Sequence, residues 1–200
     1  PEKIHIKKPE NQRLGVVALD PGVRTFMSYY SDSCYGKVGE SDFSRIYRLC
    51  IQLDNAISKR SKSDYNSKRR ISKAICRLRW KIKDSINEIH HKFASFLVQN
   101  FDTVLIPAFE TSNMVTRLRS KTARSMLTWA HYRFKQFLKF KGKEYSCKII
   151  EVNEAYTSKT CSYCGKIHNI GSKKVMKCSC GANVDRDLNG ARGIYLRNLK

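Results

Sequence analysis

Two short apolar runs constrain the fold more than anything else in this chain: "LGVVAL", Leu14 to Leu19, and "TVLIPAF", Thr103 to Phe109. Neither alternates apolar with polar residues, so each reads as a strand buried on both faces of a sheet. Such a sheet needs helices against both faces. Each run also ends on an acid. Asp20 is followed by Pro21 and Gly22, which force a turn, and Glu110 follows Phe109 directly.

The segments between and after these runs fill in the layers. "RTFMSYYS" and "CYGKVG", separated by Asp32 and Ser33, read as two more strands in an antiparallel meander. From Ser41 the period lengthens. Ile46, Leu49, Leu53 and Ile57 mark one helix, and Ile71, Ile75, Leu78, Ile82, Ile86, Ile89, Phe93 and Phe96 mark a longer one. Together they predict a helical hairpin over about 41–100. After the second apolar run comes a polar loop, then one helix from about Thr122 to Lys141 with Met126, Trp129, Phe134, Phe137 and Leu138 towards the core. "CKIIEV" reads as a strand, and "RDLNGARGIYLRNL" as a closing helix. The expected fold class is therefore α/β: a mixed sheet flanked by helices, with an inserted hairpin and a small cysteine-rich segment.

Charge narrows the partners. The chain carries 39 Lys and Arg against 17 Asp and Glu, a formal net charge of +22. An excess of that size points to a polyanion, with nucleic acid first. The hairpin concentrates it: Lys59 to Lys83 holds eleven basic residues and one acid, Asp64. Trp80 lies off the apolar stripe of the longer helix, where it can stack on a base, whereas Trp129 reads as core. No apolar run is long enough to cross a bilayer, so no membrane partner is expected. The opening "PEKIHIKKPENQRLG" lacks a methionine and reads as a linker, residues 1–13, which predicts a processed product or the C-terminal part of a longer protein.

Of the eight cysteines, Cys34, Cys50, Cys76 and Cys147 are scattered through strands and helices, as buried free thiols often are. The other four cluster. Cys161 and Cys164 form a C-x-x-C with Gly165 behind it; Cys178 and Cys180 form a C-x-C with Gly181 behind it. Two such turns facing each other make a tetrahedral Cys₄ site for one structural Zn²⁺, closed to substrate. His168 lies between the pairs and reads as a loop residue. Disulfides are the competing reading, which a reducing, intracellular compartment disfavours.

The acids ask for a different metal. If the two apolar strands lie parallel and adjacent, Asp20 and Glu110 emerge at the same end. A third acid from "VDRDLNG", Asp185 or Asp187, would join them. Three converging carboxylates repel one another unless cations hold them, and oxygen donors suit Mg²⁺ or Mn²⁺. Either aspartate fits the first turn of a helix. Neither the spacing nor the helix start chooses between the two.

"VVALDPGVRTF", "VLIPAFETSNM", "EAYTSKTCSYCG" and "CSCGANVDRDLNGARGIYL" together resemble the RuvC-like nuclease domain of the TnpB proteins of transposons. Eukaryotic and viral Fanzor proteins and type V CRISPR effectors share that domain more distantly. "KTARSMLTWAHYRFKQFLKFKG" resembles the family's segment before its last strand, so the likeness covers nearly all of the chain from Leu14. The resemblance implies an RNase H-like fold, with the nuclease domain in 14–155 and 184–200 and a zinc ribbon in 156–183. It implies RNA-guided cleavage of DNA, with Asp20, Glu110 and Asp187 as the catalytic acids, Asp185 as a neighbour and Asn189 orienting the metal ligands. Full-length members also carry an N-terminal region that binds guide RNA, and no segment of this sequence matches it.

The expected reaction is hydrolysis of a DNA phosphodiester with two Mg²⁺ or Mn²⁺ ions, bridged by Asp20 and flanked by Glu110 and Asp187. Arg24, Arg186 and Arg192 lie near these acids in sequence and are candidates for contact with the cut strand. Tyr156, Thr157 and Ser158 sit before the ribbon and are candidates for lining its path. Arg117, Arg119 and Lys121 are candidates for backbone contact. The alternative is a non-catalytic nucleic-acid-binding zinc-ribbon protein of a transposon, in which the three acids have no role.

Overall fold

The computed structural model describes residues 13–108, 120–153, 159–169 and 173–199. Its centre is β1, Val16–Pro21, which extends past the apolar run so that Asp20 is still paired, opposite Ser28. To one side lie β2, Met27–Tyr30, and β3, Tyr35–Val38, as the expected antiparallel meander. To the other side β4, Thr103–Pro107, and β5, Lys148–Val152, run parallel to it, giving the order β3-β2-β1-β4-β5. The two apolar strands are therefore parallel and adjacent, with Ala18 opposite Leu105.

Burial on both faces of β1 is complete at Val17, Ala18 and Leu19. Val17 and Leu19 face the larger core, built from α1, Glu40–Ser61, α2, Tyr65–Asn100, and the aromatic residues behind β4. Ala18 and Leu105 face the other way, onto Ile194 and Tyr195 of the last helix. At about 1.5 Å per residue, the 36 residues of α2 reach roughly 54 Å, so its basic first half projects beyond the sheet. The lone acid of that basic stretch has a local role: Asp64 caps α2 by accepting the Ser67 amide at 3.2 Å.

The single helix expected over 122–141 is in fact two: α3, Ser120–Trp129, and α4, His131–Tyr145. Ala130 between them is left-handed, with φ 51° and ψ 48°. Three side-chain bonds account for the break. The Trp129 indole donates to Val23 O (2.9 Å), His131 Nε2 donates to Gly22 O (3.2 Å), and His90 Nε2 donates to Trp129 O (2.9 Å). All three serve the turn after Asp20 or the carbonyl at the break. Phe26 fills the middle, stacked between the His90 and His131 rings at 4.9 and 5.3 Å with Phe134 edge-on at 5.0 Å.

Trp129 is core, as expected, and Trp80 stands 66% exposed. Of the four scattered cysteines, Cys50 and Cys147 are buried, Cys34 is half-buried and Cys76 is exposed, because it falls on the solvent face of α2. Among the described residues no helix is long and apolar enough to cross a membrane.

The buried histidines make acid stability testable. Burial pushes both His90 and His131 down to about 4. The unfolded chain therefore takes up more protons between pH 6.5 and 4; this contribution is full above the unfolded value and fades as pH falls towards 4. The unfolding free energy from urea titrations should drop between pH 7 and 5 by up to about 1.4 kcal/mol per pH unit for each ring. The double variant His90→Gln, His131→Gln should flatten that slope, and an unchanged slope would contradict the assignment.

Candidate functional site

The described thiols Cys161, Cys164, Cys178 and Cys180 converge as the spacing predicts, with all four Sγ atoms within 4.8 Å of one another. Cys161 and Cys180 are 3.8 Å apart, Cys164 and Cys178 3.4 Å. A tetrahedron with metal–sulfur bonds of about 2.3 Å has edges of about 3.8 Å, so the donor set fits a Cys₄ zinc site. Both separations are far too long for a disulfide. Gly165 (φ 76°) and Gly181 (φ 91°) turn the two knuckles, each donating its amide back to the carbonyl of the cysteine three or four residues earlier. The antiparallel pair β6, Val175–Lys177, and β7, Asn183–Asp185, carries the second knuckle. His168, read from sequence as a loop residue, comes to the cluster: its Nε2 lies 3.1 Å from Cys178 Sγ. Cys178 is held below the usual thiol range, first by the Cys180 amide and then by Cys164 and His168.

Helix α5, Arg186–Asn198, starts directly from β7 and packs across β1. Asp185 caps it, its Oδ1 accepting the Asp187 amide at 3.0 Å and the Leu188 amide at 3.2 Å. Its Oδ2 takes Lys37 Nζ at 2.7 Å. Asp185 is thus a cap in an ion pair. Asp187, in the first turn, is different: burial first, and then the Asp185 charge, raise its carboxyl above the ordinary value. Lys37 and Arg186 pull the other way without overcoming these two effects, and a divalent cation would relieve both.

Asp20 reaches the same helix from β1. A Cβ on Gly190 would lie 2.4 Å from Asp20 Oδ2, so the Asp20 carboxylate rests on the backbone of α5 one turn after Asp187. Asp20 and Asp187 thus approach the same stretch of α5 from two elements, and oxygen donors of this kind suit Mg²⁺ or Mn²⁺. Asp20, Asp185 and Asp187 do not close into a cluster as tight as that of the cysteines. Glu110 lies outside the described residues, as do Tyr156, Thr157, Ser158, Arg117 and Arg119 and the side chain of Lys121.

Two residues of α5 tie it to the first knuckle. Asn189, 2% exposed, donates Nδ2 to Thr160 O at 2.8 Å and accepts the Ser162 amide on Oδ1 at 3.0 Å. Its amide therefore holds the cysteine turn, not a carboxylate. Arg192, expected to meet the cut strand, donates to Ser162 O at 2.6 Å and lies 4.1 Å over the Tyr163 ring. Arg24 is exposed on the turn after Asp20, and Arg186 is half-buried at the start of α5. Sequence reasoning missed Lys37, Gly190 and Tyr163. The one available signal was the glycine in "DLNG", a small residue inside a helix where a close approach is needed.

Residues 131–194 match the model of the Cas12f1-like, TNB domain family. The chain is 32% identical over 98% of its length to putative transposase R186 of Acanthamoeba polyphaga mimivirus, covering 42% of that protein. It is 28% identical over 95% of its length to the TnpB-like protein L79 of the same virus, covering 38% of that protein. The chain thus spans about two-fifths of the length of these relatives. A cryo-EM structure of a Cas12f1–sgRNA–target DNA complex superposes with a TM-score of 0.63 at 20% identity, over 94% of this chain and 51% of that one, a likeness of fold.

Asn189 makes the helix–knuckle tie testable. Asn189→Ala leaves a buried donor and a buried acceptor unpaired and should cost about 1–3 kcal/mol. At about 2–4 °C of Tm per kcal/mol in a chain this size, a thermal melt resolves it. A melting temperature equal to wild type would mean the tie contributes nothing.

Proposed function

Because this chain belongs to the TnpB-type family of RNA-guided nucleases, we propose that it is a metal-dependent DNA endonuclease domain with an RNase H-like, RuvC-type core in 14–155 and 184–200 and a zinc ribbon in 156–183. The observation that carries this reading is the seating of the Asp20 carboxylate on Gly190, one turn beyond Asp187. It brings an acid of β1 to the helix that bears Asp187, in a protein of net charge +22. The strand order, with the first three strands in an antiparallel meander and the fourth and fifth running parallel to the first, supports the RNase H-like assignment.

In this reading Asp20, Glu110 and Asp187 hold Mg²⁺ or Mn²⁺, and the four cysteines hold Zn²⁺. Two cations bound at the acids would activate the attacking water and stabilise the departing 3′ oxygen. The chain's own residues prepare the site. Asp20 leaves a fully paired strand whose following turn is gripped by Trp129 and His131. Asp185 fixes the start of α5 and pairs with Lys37. Asp187 then presents a half-buried carboxylate, raised by burial and by the Asp185 charge. The basic half of α2 and exposed Trp80 supply contacts to nucleic acid, with Arg24 and Arg186 nearer the acids. Target DNA and a guide RNA are the proposed partners, by analogy with the complex of the Cas12f1 neighbour. A reducing, intracellular compartment is the proposed setting, since it keeps the four cysteines of the ribbon available to a metal.

Cleavage of labelled single-stranded DNA in Mg²⁺, with an EDTA control, tests the assignment. Losing a group that only orients a metal ligand costs about 10–100-fold, so Asp20→Asn and Asp187→Asn should lose more than about 100-fold while still binding DNA. Asp185→Asn keeps a good helix cap and should stay within about tenfold of wild type. Undiminished cutting by Asp20→Asn would refute the site.

A further inference from the structure

One polar side chain at the cysteine cluster has no part in the function above. His168 is half-buried on the outgoing arm of the first knuckle, ten residues before Cys178 of the second. The backbone fixes it there. Cys161 donates its amide to Lys166 O at 2.8 Å, and His168 donates its own to Lys159 O at 2.8 Å. Thr160 and Ile167 bridge between these two bonds. From this closed turn the His168 ring reaches across, and its Nε2 stands 3.1 Å from Cys178 Sγ.

A ring at that distance is either a metal ligand or a donor to one, and geometry separates the two roles. A nitrogen and a sulfur sharing one tetrahedral Zn²⁺, with bonds of about 2.0 and 2.3 Å, stand about 3.5 Å apart. The observed contact is shorter. The described donor atoms that all lie within 4.8 Å of one another are the four sulfurs, and four sulfurs already complete a tetrahedron. His168 is therefore a partner of a ligand. A metal-bound cysteine is a thiolate with no proton to give, so the bond runs one way: Nε2–H donates and Sγ accepts.

The bond also joins one knuckle to the other. Lys166 of the first knuckle makes a second such link, donating Nζ to Ser179 Oγ at 3.2 Å. Four thiolates around one Zn²⁺ carry a net negative charge, and a donor on one sulfur takes up part of it.

Resting on the zinc reading above, we propose that His168 is a positioning residue of the ribbon's metal site. It donates Nε2–H to the Cys178 thiolate, holds the second knuckle against the first, and strengthens zinc binding without touching the metal.

The test is zinc affinity, measured under reducing conditions by competition with a chromogenic chelator, for the wild-type chain and two variants. His168→Leu fills space but has no donor, and should bind zinc about 10–100-fold more weakly. His168→Gln keeps an N–H donor on a side chain of similar reach and should bind close to wild type. Cobalt(II) in place of zinc reports the ligands themselves. All three chains should give the same spectrum, that of a tetrahedral four-thiolate site, because no ligand has changed. Circular dichroism of the zinc-saturated chains checks the fold. Wild-type affinity in His168→Leu overturns the proposal. So does an equal loss in His168→Gln, which would trace to packing, and so does a cobalt spectrum that differs between wild type and His168→Leu, which would make the histidine a ligand. A wild-type chain that takes up no zinc sinks the ribbon reading itself. A His168→Leu site as tight as wild type removes the histidine's role and keeps the ribbon.

Discussion

The start of α5 is one short turn of helix that has to answer to two sites, and much of the molecule is arranged around it. Asp185 takes two of the helix's orphan amides, which no backbone carbonyl reaches in a first turn. Asn189, one turn on, takes an amide and a carbonyl from the first cysteine knuckle. Gly190 lets the Asp20 carboxylate lie on the helix backbone. Ile194 and Tyr195 then bury against Ala18 and Leu105 of the central strands. Within ten residues the helix meets the ribbon, the central strand and the core. A shift at any of these contacts moves Asp187.

Electrostatics explains why two neighbouring aspartates differ. Asp185 has its charge answered by two amides and by Lys37 at 2.7 Å. Asp187 shares the same turn but is more buried than bonded, and the Asp185 charge beside it raises it further. A protein with so large a basic excess does not lack cations to place there. Lys37 and Arg186 offset burial and the Asp185 charge at Asp187 only in part, which is consistent with a position kept for a metal.

The sequence made the layers legible because burial on both faces leaves an unbroken apolar run, and helix burial leaves a three- and four-residue step. "LGVVAL" and "TVLIPAF" became adjacent parallel strands, and the hairpin from Ser41 to Asn100 followed its stripe. The cysteine spacing likewise encodes its own geometry, since both knuckles are local turns. What stayed hidden depends on contacts distant in sequence. The break at Ala130 has no proline or glycine to announce it; it follows from bonds between Trp129 or His131 and residues more than a hundred positions earlier. Asn189, which the family resemblance marks as orienting the metal ligands, has side-chain partners 27 and 29 residues before it that spacing could not show. Cys76 was expected to be buried, but it falls on the exposed side of α2.

The central claim is that the cysteine knuckles hold the helix start that bears Asp187. Amide hydrogen exchange across residues 186–190, before and after chelation of the ribbon metal, tests it most directly. The account predicts that these amides exchange faster once the knuckles are emptied, together with those of residues 161–165. Opening of the knuckles with no change across 186–190 would contradict it, and would leave the ribbon and the acids as independent neighbours.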